Sequence, residues 1–405
     1  MSNDLHSKLK KLQQEFERTL ILNPTENIPW KMNYDATFTE GLYISEDARG
    51  KSSRIVFAGR NNMHIVMTSL YHKWEKALSA KASSFKIYSG LHAHIILFMS
   101  VASIGDKVLL LPEIAGGHYA SEKMLNRLGL QVKTIPINRE CFCVDITKTK
   151  ALIENWHPEF IFIDRSDGLY YEDFSWLKSY TGCYKIFDAS QYLSHIIAGD
   201  YINPFDMGMD LILTTLHKNY PGPQKAALFT KEKDELWLLI VNGIKSYVSN
   251  IHPLEVYKAV LTLPSRKTLR AYSQMMLKNA GVLESVLSTN GVPVITRDKK
   301  QKRTQQVWIP IADQNYAYRF FKRLEKAGIL TNYTILPYGL GRGLRLGTAA
   351  ATRQGLTPDK SVIIGKLISD IYHSDKLTDT LLQRSAKEIH LIKNHLDSNL
   401  ITAIQ

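Results

Sequence analysis

The dipeptide His217-Lys218 follows the apolar run Leu211-Ile-Leu-Thr-Thr215. A lysine that comes directly after a buried strand lies at the rim of a sheet. Because water has limited access there, the ammonium loses solvation and its neutral, nucleophilic form becomes easier to reach. This chemistry suits a lysine that forms a Schiff base with an aldehyde. A surface lysine that closes a strand is the simpler alternative.

A carboxylate occupies a similar position earlier in the chain, where Asp188 ends the apolar run Tyr184-Lys-Ile-Phe-Asp188. A lysine and an aspartate at the ends of two strands are the pair that a pyridoxal phosphate site requires. The lysine holds the aldehyde, and the aspartate keeps the pyridine nitrogen protonated so that the ring withdraws electrons. Asp188 could instead cap the following helix.

A series of short motifs surrounds this pair. In chain order they are Pro24-Thr-Glu-Asn27, Thr39-Glu-Gly41, Tyr88-Ser-Gly90, Gly116-Gly-His118, Asp188-Ala-Ser-Gln191, Thr214-Thr-Leu-His-Lys218 with Gly222-Pro223, and Leu344-Arg-Leu-Gly-Thr348. Their sequence and order resemble the motifs of serine hydroxymethyltransferases, which are pyridoxal-phosphate enzymes of the aspartate-aminotransferase fold (fold type I). The resemblance extends from Asn23 to the C-terminal helices and identifies the chain as a divergent member of that family.

The resemblance implies a role for each motif. It implies that Lys218 holds the cofactor, that His118 stacks on its ring and that Glu40 transfers a proton. It implies that Arg345 binds the substrate carboxylate. Further contacts are implied with the cofactor for Asp188, Ser89, Gly90, Gln191, Thr215 and His217 of the motifs and for Ser166 in the run Ile163-Asp-Arg-Ser166, and with the substrate for Thr25 and Glu40.

The residue types agree with these roles. Ser89 and Gly90 precede an apolar, helical stretch, so backbone N–H groups and the positive end of a helix would meet a phosphate; a plain helix start is the alternative. A buried guanidinium at Arg345 needs an anion, which a substrate carboxylate or an internal Asp or Glu would supply. A loop histidine such as His118 could equally be a surface residue. Among acidic residues, only the resemblance distinguishes Glu40.

Several polar residues of the family are replaced. Gln191 stands where the family has a histidine, and Leu216 and Leu91 stand where it has hydroxyl residues. Pro221 and Gln224 occupy the positions of two arginines. Since the lysine, the aspartate and the arginine of the site remain, the pattern predicts retained cofactor chemistry with an altered substrate or acceptor.

The elements around these residues predict an α/β fold with a mostly parallel sheet. Short apolar runs alternate with helical stretches; they are Lys107–Leu111, Phe160–Asp164, Lys185–Asp188, Leu211–Thr215 and Ala226–Thr230. A long helical segment, about Pro253 to Leu287, is expected to lead into a smaller α+β lobe. The predicted boundaries are an N-terminal helix and arm (1–30), a large cofactor-binding domain (31–265) and a small C-terminal domain (266–405).

Composition predicts one compact enzyme, since 405 residues with 44% apolar side chains can bury a large core. Three cysteines without a zinc spacing, and the lack of a signal peptide, predict a cytoplasmic protein. No stretch is long enough to predict a membrane span.

The net charge of +13 raises the question of nucleic acid. However, the densest basic cluster, Arg297–Arg303, lies between two predicted strands, Val292–Ile295 and Val307–Pro310, and is typical of a solvated loop, so no nucleic acid is expected.

The sequence therefore predicts a pyridoxal-phosphate-dependent transferase or lyase acting at the Cα–Cβ bond of a β-hydroxy-α-amino acid, similar to serine hydroxymethyltransferase. Tetrahydrofolate use is open, and no metal is expected. One alternative is a folate-independent threonine-type aldolase or transaldolase of a specialised pathway; another is a non-catalytic, basic binding protein. The resemblance also implies a homodimer with shared active sites, in which Asn250-Ile-His252-Pro253 replaces a glycine loop that the second subunit contributes.

Overall fold

The computed structural model describes residues 2–30, 56–248, 253–296 and 301–394. Its helices are α1 (Ser2–Glu17), α2 (Asn61–Leu78), α3 (Gly90–Val101), α4 (Ser121–Arg127), α5 (Ile146–Trp156), α6 (Leu193–Ala198), α7 (Glu235–Gly243), α8 (Pro253–Val260), α9 (Arg266–Thr289), α10 (Gln314–Lys326), α11 (Ala349–Arg353), α12 (Pro358–His373) and α13 (Asp379–Asn394). Its strands are β1 (Leu20–Ile21), β2 (Ala82–Ile87), β3 (Lys107–Leu110), β4 (Gln131–Thr134), β5 (Ile137–Asn138), β6 (Cys143–Val144), β7 (Phe160–Asp164), β8 (Tyr184–Asp188), β9 (Leu211–Thr215), β10 (Ala226–Thr230), β11 (Gln306–Pro310), β12 (Ile329–Leu330), β13 (Asn332–Leu336) and β14 (Gly341–Gly347).

The central sheet has seven strands in the order β2-β10-β9-β8-β7-β3-β4. Neighbouring strands from β9 to β4 are parallel, whereas β10 is antiparallel to both of its neighbours. Every residue of β7, β9 and β10 is buried, as expected for strands that are covered on both faces of a sheet. The predicted α/β fold with a mostly parallel sheet is confirmed.

The described chain divides into two compact units. One unit is Pro29–Arg270 and contains the central sheet. The other combines the residues up to Ile28 with those from Ala271 onward, and it contains the antiparallel sheet β11-β14-β13. Because β1 pairs in parallel with β12, the N-terminal segment is part of this second unit, although the sequence suggested a separate arm.

Two local predictions were wrong, and a proline accounts for each. The segment expected to be one long helix is two helices, α8 and α9, with Pro264 in the connection between them; proline lacks an N–H and disfavours a continuous helix. Val292–Ile295, expected to be a strand, is irregular and contains Pro293, which cannot donate to a ladder. Val307–Pro310 does lie in a strand, β11.

The cysteines differ in state. Cys141 and Cys143 form a disulfide where the chain turns between β5 and β6, with 5.3 Å between their Cα atoms. The sequence did not predict this bond, because only the turn brings the two side chains together. Cys183 is a buried free thiol. Among the helices of the described ranges, none combines the length and the apolar character needed to cross a membrane.

Candidate active site

Three neighbouring parallel strands end at polar residues on the same edge of the central sheet. β7 ends at Asp164, β8 at Asp188 and β9 at Thr215. The register pairs Asp164 with Asp188, so their carboxylates lie side by side. The carboxyl edge of a parallel sheet is where open α/β folds bind ligands.

A buried histidine connects the two carboxylates. Nε2 of His94, on α3, donates to Oδ2 of Asp188 at 3.0 Å, and its Nδ1 lies 3.9 Å from Oδ2 of Asp164. Ser121 at the start of α4 donates its hydroxyl proton to Asp164, and the backbone N–H of Ser190 donates to Oδ1 of Asp188 at 2.8 Å. One ligand atom of each of His94, Asp164 and Asp188 lies within 4.8 Å of the others, which is close enough to surround a cation.

The charges within this network shift the pKa of each member. Burial by itself lowers the pKa of His94, but the charge of Asp164 and the hydrogen bond to Asp188 outweigh burial and raise it. Burial by itself raises the pKa of Asp188, but the hydrogen bond from His94 and the charges of His94 and Lys218 lower it. Burial raises the pKa of Asp164 despite the opposing charge of His94. Asp188 is therefore an ionised carboxylate, and its charge and that of Asp164 favour the protonated form of His94.

Lys218 follows β9 and is half-buried. Its charge contributes to the pKa shifts of His94, His118 and Asp188, so its amine lies within electrostatic range of all three. Burial, followed by the charge of Lys218, lowers the pKa of the adjacent His217 to about 4, so this imidazole is neutral at pH 7. The structure thus brings the lysine and the aspartate to one edge of the sheet.

Glycines position the loop that carries His118. Gly116 has a φ of +88°, and a Cβ there would lie 1.9 Å from the carbonyl oxygen of Asp167. The backbone N–H groups of Ser166 and Asp167 both donate to the Gly116 carbonyl. The loop therefore packs against the residues that follow β7, and the ring of His118 lies edge-on to His94, with 5.8 Å between the centroids. Burial lowers the pKa of His118.

The N-terminus of α3 lies beside the end of β9. Ser89 caps the helix by accepting from the His92 N–H, and a Cβ on Gly90 would lie 2.9 Å from Cγ2 of Thr215. Among the described residues, the buried Oγ1 of Thr215 has no hydrogen-bond partner. A helix start with a hydroxyl cap, an unsatisfied buried hydroxyl and a close glycine approach fit the phosphate of the pyridoxal phosphate that the sequence predicts.

The predicted substrate residues lie in the second unit. Arg345, on β14, is buried, which lowers its pKa to about 10, and its Nε donates to Oδ1 of Asn332 at 3.2 Å. The segment that carries Thr25 lies against the end of β14, since the N–H of Gly347 donates to the carbonyl oxygen of Leu22 at 2.7 Å. The hydroxyl of Thr25 donates to Oδ1 of Asn23 at 2.9 Å.

Of the remaining predicted residues, some lie next to the site and others lie outside the described residues. Gln191 is buried just beyond Asp188, and Ser166 is half-buried beyond β7. Glu40, and residues 250–252 of the predicted partner loop, lie outside the described residues, as do 297–300 of the basic cluster.

Sequence reasoning missed several polar residues of the site, namely His94, Asp164 and Ser121. Asp164 ends an apolar run just as Asp188 does, and that signal could have identified it. His94 stands in an apolar helix, where a histidine is itself an unusual residue, but its partners depend on the fold.

Known proteins resemble this chain over most of its length. A family model described as serine hydroxymethyltransferase matches residues 9–368. The serine hydroxymethyltransferase of Sulfolobus acidocaldarius is 26% identical over 375 residues, covering 88% of this chain and 85% of that protein. That of Saccharolobus solfataricus is 25% identical over 386 residues, covering 89% of each. Among solved structures, an L-threonine transaldolase from Pseudomonas fluorescens superposes with a TM-score of 0.87 at 22% identity, covering 99% of this chain and 96% of that one. This last similarity shows a shared fold.

Proposed function

The chain belongs to the serine hydroxymethyltransferase family of pyridoxal-phosphate-dependent enzymes, and we propose that it makes or breaks the Cα–Cβ bond of a β-hydroxy-α-amino acid. The observation that carries the proposal is the cluster of Lys218, Asp188 and His94 at the carboxyl edge of the sheet. When bound, pyridoxal phosphate supplies an electron sink for the pair of electrons that such a bond leaves at Cα.

The side chains of this cluster would hold the cofactor and set its charge. The amine of Lys218 would bind the aldehyde, and the ionised carboxylate of Asp188 would keep a pyridine nitrogen protonated. His94 would act on Asp188, because an imidazolium at hydrogen-bond distance favours the charged carboxylate. His118 and Gln191 would contact the ring, with Ser166, Thr215 and His217 completing the cofactor contacts, and Ser89 and Gly90 would bind the phosphate.

Three further side chains would act on the substrate. Arg345 would bind its carboxylate, because a buried guanidinium gains most from an anion that accepts two hydrogen bonds. Thr25 would contribute a polar contact. Glu40 would move the proton of the substrate hydroxyl or of water.

The acceptor of the reaction has two candidates. Serine–glycine exchange with tetrahydrofolate is the parent reaction that the family resemblance implies, and the relatives are named serine hydroxymethyltransferases. Folate-independent transaldolase chemistry is supported by the transaldolase named among the solved structures and by the replaced polar residues, such as Leu216 and Gln191. A non-catalytic binding role is disfavoured, because the lysine and the ionised aspartate are retained.

An activity assay separates these candidates. Purified protein would be incubated with serine or threonine, with and without tetrahydrofolate, and with a bulky aldehyde as acceptor. Cleavage that needs folate supports the hydroxymethyltransferase, whereas folate-independent transfer to the aldehyde supports the transaldolase.

Lys218→Ala should lose the cofactor adduct that borohydride reduction traps in the wild type. Lys231→Ala is the matched control, since Lys231 follows the antiparallel strand β10 at the opposite edge. A colourless protein with no adduct contradicts the proposal.

We also propose a homodimer, as the family resemblance implies. An apolar stripe along α1, formed by Leu5, Leu9, Leu12 and Phe16, is exposed on the single chain. Light scattering on purified protein would measure the mass, and a monomer at micromolar concentration would contradict this proposal. The cytoplasmic location stays a prediction.

A further inference from the structure

Lys225 lies between the two segments that bound the predicted phosphate site. Strand β10 begins one residue later, at Ala226, which pairs with Ile87 at the end of β2 and with Thr215 at the end of β9. The antiparallel register therefore places Lys225 beside Tyr88, directly before Ser89 and Gly90, on one side, and beside the residue after Thr215 on the other. The Lys225 carbonyl accepts from the N–H of Leu216 at 2.9 Å, in agreement with this register.

The side chain of Lys225 is enclosed but unsatisfied. The residue is 1% exposed, and its Nζ has no hydrogen-bond partner among the described residues. The ammonium lies 4.8 Å from the centroid of the Tyr88 ring. Burial lowers the pKa of Lys225 to about 8; the charge of Glu255 opposes that shift, but Glu255 is itself ion-paired with Lys258 at 3.0 Å. A buried ammonium without a hydrogen-bonded anion is costly, and such an arrangement is typical of a ligand site.

The direction of the side chain is indicated by its effect on the first turn of α3. The charge of Lys225 is, after burial, the cause that lowers the pKa of His92. The His92 N–H is capped by Ser89, so the ammonium lies close to the N-terminus of α3, where the first backbone N–H groups lack intrahelical acceptors. The site therefore offers a compact dianion four groups: the N-terminus of α3, the hydroxyl of Ser89, the ammonium of Lys225 and the unpaired Oγ1 of Thr215.

We propose that Lys225 is a phosphate-binding residue of the cofactor site, whose ammonium pairs with the phosphate of pyridoxal phosphate at the N-terminus of α3. Lys225 directly follows Gln224, which replaces an arginine of the family, so it supplies a cation next to the one that is lost. The predicted phosphate loop has also lost a hydroxyl, at Leu91. The proposal rests on the use of pyridoxal phosphate. A charge supplied within the chain reduces the need for phosphate contacts from a second subunit.

The test compares two cofactors that differ only in the phosphate. Cofactor-free wild type, Lys225→Met and Lys225→Arg would be titrated with pyridoxal phosphate and with pyridoxal, and the absorbance of the lysine adduct would give each affinity. Lys225→Met should bind pyridoxal phosphate about 10- to 100-fold more weakly than the wild type, the usual range for losing a charged hydrogen bond. Its affinity for pyridoxal should change less than about twofold, and Lys225→Arg should retain most of the affinity for pyridoxal phosphate.

A second readout does not need the adduct. Inorganic phosphate should raise the Tm of the cofactor-free wild type and of Lys231→Met, the exposed control beyond the other end of β10, but not that of Lys225→Met. Equal losses for pyridoxal and pyridoxal phosphate, or unchanged affinity for both, would overturn the proposal. If the wild type takes up neither cofactor, the proposed function fails, and the phosphate-dependent Tm still decides for or against Lys225.

Discussion

Nε2 of His94 donates to Oδ2 of Asp188 across 3.0 Å, and both side chains are buried at the carboxyl edge of the central sheet. Each partner favours the charged form of the other, since the pKa of the imidazole is raised and that of the carboxylate is lowered. An ionised carboxylate on this edge is the group that a protonated pyridine nitrogen needs, so a second residue, His94, sets the charge of the proposed electron-sink partner.

We expect His94→Asn to destabilise the protein most strongly at low pH. The folded-state pKa of His94 is raised above 6.5 by Asp164 and Asp188, against burial and the charge of Lys218. The stabilisation from protonated His94 is therefore complete below pH 6.5 and is lost as pH rises through the raised pKa. The loss should be about 3 kcal/mol in the free energy of unfolding below pH 6.5 and smaller at high pH.

Urea unfolding of the wild type and His94→Asn across this pH range measures the effect. His72→Asn is the control, because His72 lies on the exposed face of α2 and should change little at any pH. A difference between wild type and His94→Asn that grows as pH rises would contradict the assignment of an imidazolium.

Asp188→Asn should leave the cofactor attached but reduce kcat by on the order of 100-fold or more, because a neutral amide no longer stabilises a protonated ring nitrogen. Asp210→Asn is a matched control, since Asp210 precedes β9 and lies at the opposite edge, where it accepts from the Lys185 N–H at 2.8 Å. Steady-state kinetics with the accepted amino acid, together with the absorbance of the bound cofactor, would measure both. Activity of Asp188→Asn within tenfold of the wild type would exclude its proposed role.

Arg345→Met should raise the KM for the amino acid substrate by about 10- to 100-fold, which corresponds to the loss of a charged hydrogen bond. The matched variant is Arg342→Met on the same strand, where Arg342 is exposed and packs over the ring of Tyr333. Arg342→Met should leave the KM unchanged. If the two variants behave alike, Arg345 is a structural cation that acts through Asn332 and not a carboxylate ligand.

Gly116→Ala should destabilise the protein more than Gly105→Ala. Both glycines have φ near +90°, so both substitutions meet similar backbone strain of about 1–2 kcal/mol. Only at Gly116 would the added Cβ meet a neighbour, the Asp167 carbonyl oxygen at 1.9 Å, whereas nothing lies within 4 Å at Gly105. The difference between their unfolding free energies measures the packing of the loop that carries His118, and equal losses would mean that this loop moves freely.

The sequence alone determined the class of fold and the order of its motifs. The runs Phe160–Asp164, Leu211–Thr215 and Ala226–Thr230 are strands with the predicted bounds, because an apolar run that is covered on both faces carries its signal locally. The order of the motifs also identified the family that the comparisons show. The roles assigned to Lys218 and Arg345 stay predictions, since they concern bound molecules.

Only the tertiary structure decided which charges meet. His94, Asp164 and Asp188 come from three separate segments, and their contact depends on the register of β7 with β8 and on the packing of α3. The position of Lys225 likewise follows from the pairing of β10 with both β2 and β9, which no local pattern encodes. Burial, the neighbouring charges and the hydrogen bonds then set the pKa values, because the same side chains in water would keep their ordinary ones. Local sequence patterns could therefore predict which lysine reacts, but strand pairing and helix packing placed the charged groups around it.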